Sequence, residues 1–223
     1  MLDLTRDGDV SILRLDGGEN RFTPPLMEAL ERALDAIEGG AGPAAVVLTG
    51  TGKFFSNGLD LEEMMRAGQE GATAYVGRVL GIVGRLFTCP APTVAVVNGH
   101  AFGAGALLAL AADVQLMRAD RGYFCMPEVD LEVAFHPGMA ALLLARVPAR
   151  VAHDLVVTGA RIGGAEAAAR GVVDEALDEA ALLPRAIAIA AARASKAGPA
   201  MGVLKRSLYP QVVEALARPL ALG

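Results

Sequence analysis

Val97-Asn98-Gly99-His100-Ala101-Phe102-Gly103-Ala104-Gly105-Ala106 is the stretch on which the fold turns. Before it, Thr93–Val97 is a short run rich in β-branched residues, the pattern of a strand buried on both faces. After it, Gly103–Ala112 reads as a buried helix and Val114–Met117 as a further strand. A strand that passes through a Gly-rich turn into a helix, and then into another strand, is the unit of an α/β protein. Backbone N–H groups where such a helix starts present partial positive charge, and small residues let a ligand approach the main chain. A phosphate loop fails on detail, because no Lys-Ser/Thr pair follows the glycines.

The same stretch lies within 27 uncharged residues, Leu86–Ala112. That is long enough for a bilayer span of roughly 20 apolar residues. Pro90, Pro92 and the polar Asn98-Gly99-His100 triplet break it into strand, turn and helix, so no membrane partner is expected. The whole chain has 223 residues, 53% of them hydrophobic, with 43 alanines, 26 glycines and no tryptophan. Such a chain is not disordered, and its core is built from small and aliphatic side chains. The net charge of -5 leaves no electrostatic footprint for nucleic acid. Cys89 and Cys125 are too few for a disulfide framework or a metal knuckle, and read as buried thiols in a reducing compartment. Met1–Asp9 has no signal-peptide core and Leu220-Ala221-Leu222-Gly223 is no peroxisomal signal, so a cytoplasmic location is expected.

Outward from the centre, Leu2–Arg6 and Val10–Leu15 read as a strand pair around Asp7-Gly8-Asp9. Thr23 is expected to cap a helix with Pro24 and Pro25 in its first turn, ending over Gly39–Pro43. Ala44–Leu48 is a buried strand, followed by a loop over Thr49–Leu59 and helix from Asp60 to Phe87 with a break near Gly68–Gly71. From Met139 onward the pattern is almost wholly helical: 139–145, 149–157, 165–170, 178–194 and 200–217. The expected organisation is an α/β core over residues 1–174 and a helical C-terminal region over 175–223.

Two further segments can carry chemistry. Gly52-Lys53-Phe54-Phe55-Ser56-Asn57-Gly58-Leu59-Asp60-Leu61 is a second strand-to-helix junction, at the sheet edge where ligands bind in open α/β sheets. Taken alone, a structural turn capped by Asp60 reads the same way. Two such junctions could aim two N–H donors at one developing oxyanion. In Met126-Pro127-Glu128-Val129-Asp130-Leu131-Glu132, three carboxylates alternate with apolar residues. If extended they share one face; if helical, Glu128 and Glu132 still do. Desolvation would raise such an acid toward the range of a general base, while a solvated strand edge is the competing reading.

Together and in this order, these segments resemble the crotonase superfamily, the enoyl-CoA hydratases and isomerases. Glu19-Asn20-Arg21-Phe22-Thr23-Pro24, Gly52–Leu61, Asn98-Gly99-His100-Ala101, Met117–Gly122 and Glu128–Glu132 look most like the plant peroxisomal Δ3,Δ2-enoyl-CoA isomerase branch. The resemblance runs from the opening strands to about Asp174. It implies a spiral of ββα units, a homotrimer or dimer of trimers, and an acyl-CoA thioester as partner. The C-terminal region would serve trimerisation and cover the CoA site. The thioester oxygen would sit between the N–H groups of Leu59 and Ala104, with Glu128 as the acid–base residue. Hydratases carry a second glutamate at the position that is Leu107 here, and its loss favours double-bond migration over water addition. The implied reaction moves a 3-enoyl-CoA double bond to 2-trans-enoyl-CoA through an enolate, with no cofactor and no metal.

The resemblance also places Lys53, Ser56, Asn57, Gly58, Gly103, Leu107, Glu132 and His136 near the substrate. Glu132 is a reserve base, and Asp130 is structural. His136 lines the acyl pocket or is a plain loop histidine; His100 packs against the turn, and nothing in the sequence signals a partner for His153. Lys205 and Arg206 meet CoA phosphates or form a solvated basic patch. Two other readings stand beside the isomerase: hydration or other thioester chemistry on this scaffold, and a non-catalytic acyl-CoA-binding protein.

Overall fold

The computed structural model describes residues 1–40 and 44–219. Its opening strands, β1 (Leu2–Asp7) and β2 (Val10–Leu15), pair antiparallel around a turn in which Gly8 takes φ 55°. Helix α1 (Pro24–Glu38) begins with two prolines, whose missing N–H groups would be unpaired in a first turn anyway. Thr23 stands at the N-cap, but its side chain makes no capping hydrogen bond. The prolines, with their fixed φ, start the helix instead. Leu26, Leu30, Leu34 and Ile37 form its buried stripe.

Three ββα units follow. The first is β3 (Ala45–Gly50), β4 (Phe54–Ser56) and a helical pair, α2 (Leu61–Arg66) and α3 (Gly68–Phe87). The break between these helices falls at Ala67–Gly68, where Gly68 takes φ 66°. The second unit is β5 (Thr93–Val97), β6 (His100–Phe102) and α4 (Ala104–Leu110). The third is β7 (Val114–Arg118), β8 (Phe124–Cys125) and α5 (Pro137–Arg146). In each unit the first strand joins one sheet, of order β1-β2-β3-β5-β7 and onward, and is parallel to its neighbours from β2 on. The second strand joins a small parallel sheet of order β4-β6-β8. The repeated step between two sheets makes the chain a spiral of ββα units.

The C-terminal part comprises α6 (Ala149–Thr158), α7 (Gly164–Ala169), β9 (Glu175–Leu177), α8 (Glu179–Arg193), α9 (Pro199–Leu208) and α10 (Pro210–Leu216). Strand β9 corrects the helical reading of the region from residue 175: it pairs with β7 and forms the edge of the large sheet. Leu182, Ala186 and Ala190 of α8 pack against Val10, Val47, Val94 and Leu116, covering the sheet face opposite α1 and α3. Both faces of β3 and β5 are therefore buried, as their continuous apolar runs require. The single helix expected over 200–217 is two, α9 and α10. Pro210 lacks the N–H that would continue the ladder and pushes Tyr209 out of helical geometry, to φ -129° and ψ 50°.

No helix among the described residues is long and apolar enough to cross a membrane. The Leu86–Ala112 stretch divides into the end of α3, β5, β6 and α4, all largely buried. Cys89 and Cys125 are buried free thiols. The expected helix end at Ala41-Gly42-Pro43 and the terminal Leu220-Ala221-Leu222-Gly223 lie outside the described residues.

Candidate active site

The small sheet organises the site. Leu59 lies three residues beyond β4, Ala104 two beyond β6 and Glu128 three beyond β8. Because the three strands are parallel neighbours, all three residues emerge at one carboxyl edge. Gly103 N–H donates to Cys125 O at 3.0 Å, holding the second junction to the strand that carries Glu128.

The two junctions touch main chain to main chain. A Cβ on Gly58 would stand 2.6 Å from Phe102 O and 3.2 Å from Ala104 N; one on Gly105 would stand 2.3 Å from Ser56 O. Gly58 also takes φ 79°, in the left-handed region that other residues resist. Its N–H donates to Ser56 Oγ at 3.2 Å, and Ser56 Oγ donates to Asn20 O at 2.7 Å. Phe22 N–H donates to Gly58 O at 2.9 Å. Neither Leu59 N–H nor Ala104 N–H has a protein acceptor among the described residues. Asp60 caps α2, accepting from Glu63 N–H at 3.2 Å, as its position at the junction predicts.

Glu128 is 7% exposed, and its Oε2 is buried without a hydrogen-bond partner among the described residues. Its Oε1 lies 3.3 Å from where a Cβ on Gly103 would be, so the carboxyl sits against the second junction. Burial pushes its pKa up to about 7, opposed only by its own backbone N–H. Segment 127–133 is neither strand nor helix. It is a series of tight turns in which Asp130 N–H and Leu131 N–H donate to Pro127 O and Val133 N–H to Glu128 O. The alternating acids therefore point in different directions, and only Glu128 turns inward.

A cavity of about 580 Å³ opens beside these groups. Met64, Val76, Val79, Leu80, Leu107, Leu131 and Met139 supply apolar walls, with Leu59, Gly103, Ala104 and Glu128 among its lining. Leu107 is fully buried on α4. Arg21 and Arg161 stand at the edges; Arg21 is held by Glu19, while the exposed Arg161 lies over the Phe102 ring. No group of three or more metal-ligating side chains is assembled among the described residues.

Residues 8–222 match the enoyl-CoA hydratase/isomerase family. The peroxisomal enoyl-CoA delta isomerase 2 of Arabidopsis thaliana is 33% identical over 224 residues, 95% of this chain and 93% of that one. The chain belongs to the enoyl-CoA hydratase/isomerase family. A solved member of the same family from Pseudomonas syringae superposes with a TM-score of 0.88 at 25% identity, covering 96% of this chain and 93% of that one. A carnitinyl-CoA dehydratase of Escherichia coli is 35% identical over 160 residues, 71% of this chain and 60% of that one. The family thus includes more than one thioester reaction, on the crotonase fold that the sequence resembles.

Against that family, several expected positions stand apart from the cavity. Ser56 is buried and both its hydrogen bonds are spent within the loops, so it shapes the junction and does not line the cavity. Lys53 is exposed and lies over the Phe54 ring, outside the cavity. Glu132 occupies an exposed turn with φ 54° and does not line the cavity, because the turn after Glu128 directs it outward. Lys205 is tied into the fold and does not line the cavity: its Nζ donates to Asp113 Oδ2 at 2.7 Å and Ala91 O at 3.2 Å. Replacing it with Ala should cost about 1–3 kcal/mol of stability in a denaturant titration and leave acyl-CoA affinity unchanged. A large loss of affinity at constant stability would restore it to the ligand. Arg206 and His153 are exposed.

Other positions meet the cavity. Asn57 lines it, held by its Nδ2–H donating to Glu19 Oε2 at 3.0 Å. His136 lines it too, but as a structural part: Nδ1 accepts from Gly138 N–H at 3.0 Å, capping α5, and Nε2 meets Arg218 O at 3.2 Å. His100 packs among Phe54, Phe102 and Tyr123; burial, then Lys53, Arg121 and Arg161, hold its pKa below the ordinary value. Asn20 and Tyr75 were not expected at the site. Asn20 reaches from the α1 approach to Phe54 O and Phe55 O, binding that loop to β4. The Glu19–Pro24 stretch was a signal for this loop, although no role could be read from it.

Proposed function

We propose that this protein is a Δ3,Δ2-enoyl-CoA isomerase, moving the double bond of a 3-enoyl-CoA to the 2-trans position. One observation carries the reading: the buried carboxyl of Glu128, whose Oε2 has no partner among the described residues, faces a largely apolar cavity beside two N–H donors that have no protein acceptor there. Glu128 removes a C2 proton, and negative charge spreads to the thioester oxygen. Leu59 N–H and Ala104 N–H stabilise that oxygen, a contribution of about 2.7–4 kcal/mol per donor in comparable sites. Glu128 then returns a proton to C4. The shuttle draws on no metal or redox group, and coenzyme A enters with the substrate. A homotrimer or dimer of trimers and a cytoplasmic location belong to the same proposal.

Water addition needs one group to activate water and another to protonate carbon. By the family resemblance Leu107 stands where the second acid of a hydratase would be, and an aliphatic side chain on that wall can neither activate water nor donate a proton. The Arabidopsis relative, an isomerase by name, supports the same choice. Parallel ultraviolet assays on 3-enoyl-CoA and 2-trans-enoyl-CoA test it. Conversion of the first without hydration of the second is expected; rapid hydration of the second would favour the reaction class of the dehydratase relative. Tight binding of both with no turnover would instead make the protein an acyl-CoA binder.

The pH dependence follows from the raised pKa of Glu128. The base must be ionised to accept the C2 proton, so kcat/KM should rise with pH through about 7 and level off above it. A profile flat from pH 5 to 8 would remove Glu128 from the role.

A further inference from the structure

The Leu59 donor is held by a closed chain of hydrogen bonds that begins on α3. Tyr75 is 8% exposed, and its Oη accepts from Asp60 N–H at 2.8 Å. Its O–H donates to Phe22 O at 2.9 Å. Phe22 N–H in turn donates to Gly58 O at 2.9 Å. The Gly58–Leu59 peptide is thus gripped on both sides: Phe22 holds its carbonyl, and Tyr75 holds the next N–H along the chain. A trans peptide carries C=O and N–H in opposite directions, so fixing Gly58 O fixes the direction of Leu59 N–H. A hydrogen bond accepted at the carbonyl also polarises the N–H of the same peptide, strengthening it as a donor.

We infer that Tyr75 is a positioning residue for the oxyanion site, acting through Phe22 and Asp60 on the Leu59 N–H. This rests on the proposed enolate chemistry. Among the described residues the phenol is the acceptor that Asp60 N–H has, and no backbone carbonyl takes its place. Burial pushes the Tyr75 pKa up to about 12, so the hydroxyl stays protonated and serves as donor and acceptor together at any working pH. A phenylalanine ring would match the packing and lose only these two bonds. No other side chain bridges Phe22 and Asp60 among the described residues.

The test is Tyr75→Phe in the full-length protein, read three ways. Isomerisation kcat should fall roughly 10–100-fold, the size of effect that follows a misplaced catalytic group, with KM little changed. The stretch of a ¹³C-labelled thioester carbonyl, followed by infrared difference spectroscopy on bound 2-trans-enoyl-CoA, should move to lower frequency on binding wild type. In Tyr75→Phe it should move back toward its value in water. Val83→Ala, a fully buried site on the same helix, serves as the control for general loosening and should leave the carbonyl shift intact. The amide of Asp60 in wild type should exchange slowly with deuterium, a measurement that needs no variant to fold. A Tyr75→Phe protein with wild-type kcat and carbonyl shift, or a fast Asp60 amide, overturns the inference. If wild type shifts the carbonyl but does not isomerise, the reaction assignment fails and the positioning role stands. If wild type does not shift the carbonyl, both fail.

Discussion

Glu128→Gln should lower isomerisation by about 10²–10⁴-fold while leaving acyl-CoA binding nearly intact. Glutamine keeps the shape and occupies the same wall of the cavity, but it cannot accept a C2 proton. The same variant should be more stable than wild type at neutral pH. The folded-state pKa of Glu128 is raised to about 7 from an ordinary value of 4.5. Below about 4.5 the carboxyl is protonated in folded and unfolded chains alike, and it costs nothing. As pH rises toward 7 the unfolded chain ionises freely while the folded one resists, so stability falls by up to about 3 kcal/mol and then levels off. Glutamine removes that fall. Calorimetry at pH 5 and pH 8 checks it: the gain from the substitution should appear at pH 8 and vanish toward pH 4.5. Loss of turnover with that stability pattern marks a site where function is held at the expense of stability. Retained turnover would remove the base, and equal stability effects at both pH values would remove the desolvated carboxyl.

Gly58→Ala should be the most damaging change outside the acid itself. The new methyl would meet Phe102 O at 2.6 Å and Ala104 N at 3.2 Å, both of them main-chain atoms. The backbone is also at φ 79°, where an L-residue costs roughly 1–2 kcal/mol even without a clash. Relief of the clash can come only by separating the two junctions, which moves both donors away from the thioester oxygen. Loss of one donor alone costs about 10²–10³-fold in kcat. We therefore expect at least that loss, together with a lowered unfolding midpoint. Unlike Glu128→Gln, it should also weaken binding of the thioester. Wild-type kcat in a folded Gly58→Ala protein would show that the junctions do not form the oxyanion site.

The residues that meet at the cavity were legible in the sequence to different degrees, for physical reasons. Leu59, Ala104 and Glu128 could be named because their segments, in this order, resemble the motifs of the crotonase superfamily, which implies their roles. Leu107 could be singled out because the resemblance implies a hydratase's second glutamate at its position. The strands β4, β6 and β8 that align them were not legible. Two or three residues are too few for an alternating pattern to register, and their pairing is long-range. Strand β9 was hidden for the same reason inside an Ala-rich helical region. Lys205 and Ser56 carry polar groups that a sequence cannot assign to ligand or to fold, and their partners, Asp113 and Asn20, lie 92 and 36 residues away. Glu132 stood as a reserve to Glu128 because an extended or helical segment would put both on one face; the turns over 127–133 separate their directions. Tyr75 sits in an amphipathic helix where an aromatic reads as core; only the position of its hydroxyl distinguishes it.

On the proposed mechanism one carboxyl takes a proton from C2 and delivers it to C4 of the same substrate. A single-turnover reaction with 3-enoyl-CoA carrying deuterium at C2 follows that proton. The 2-trans-enoyl-CoA formed should carry part of the deuterium at C4, and Glu128→Gln should form none of it in the same time. Product without deuterium at C4, or 3-hydroxyacyl-CoA in its place, would contradict that mechanism.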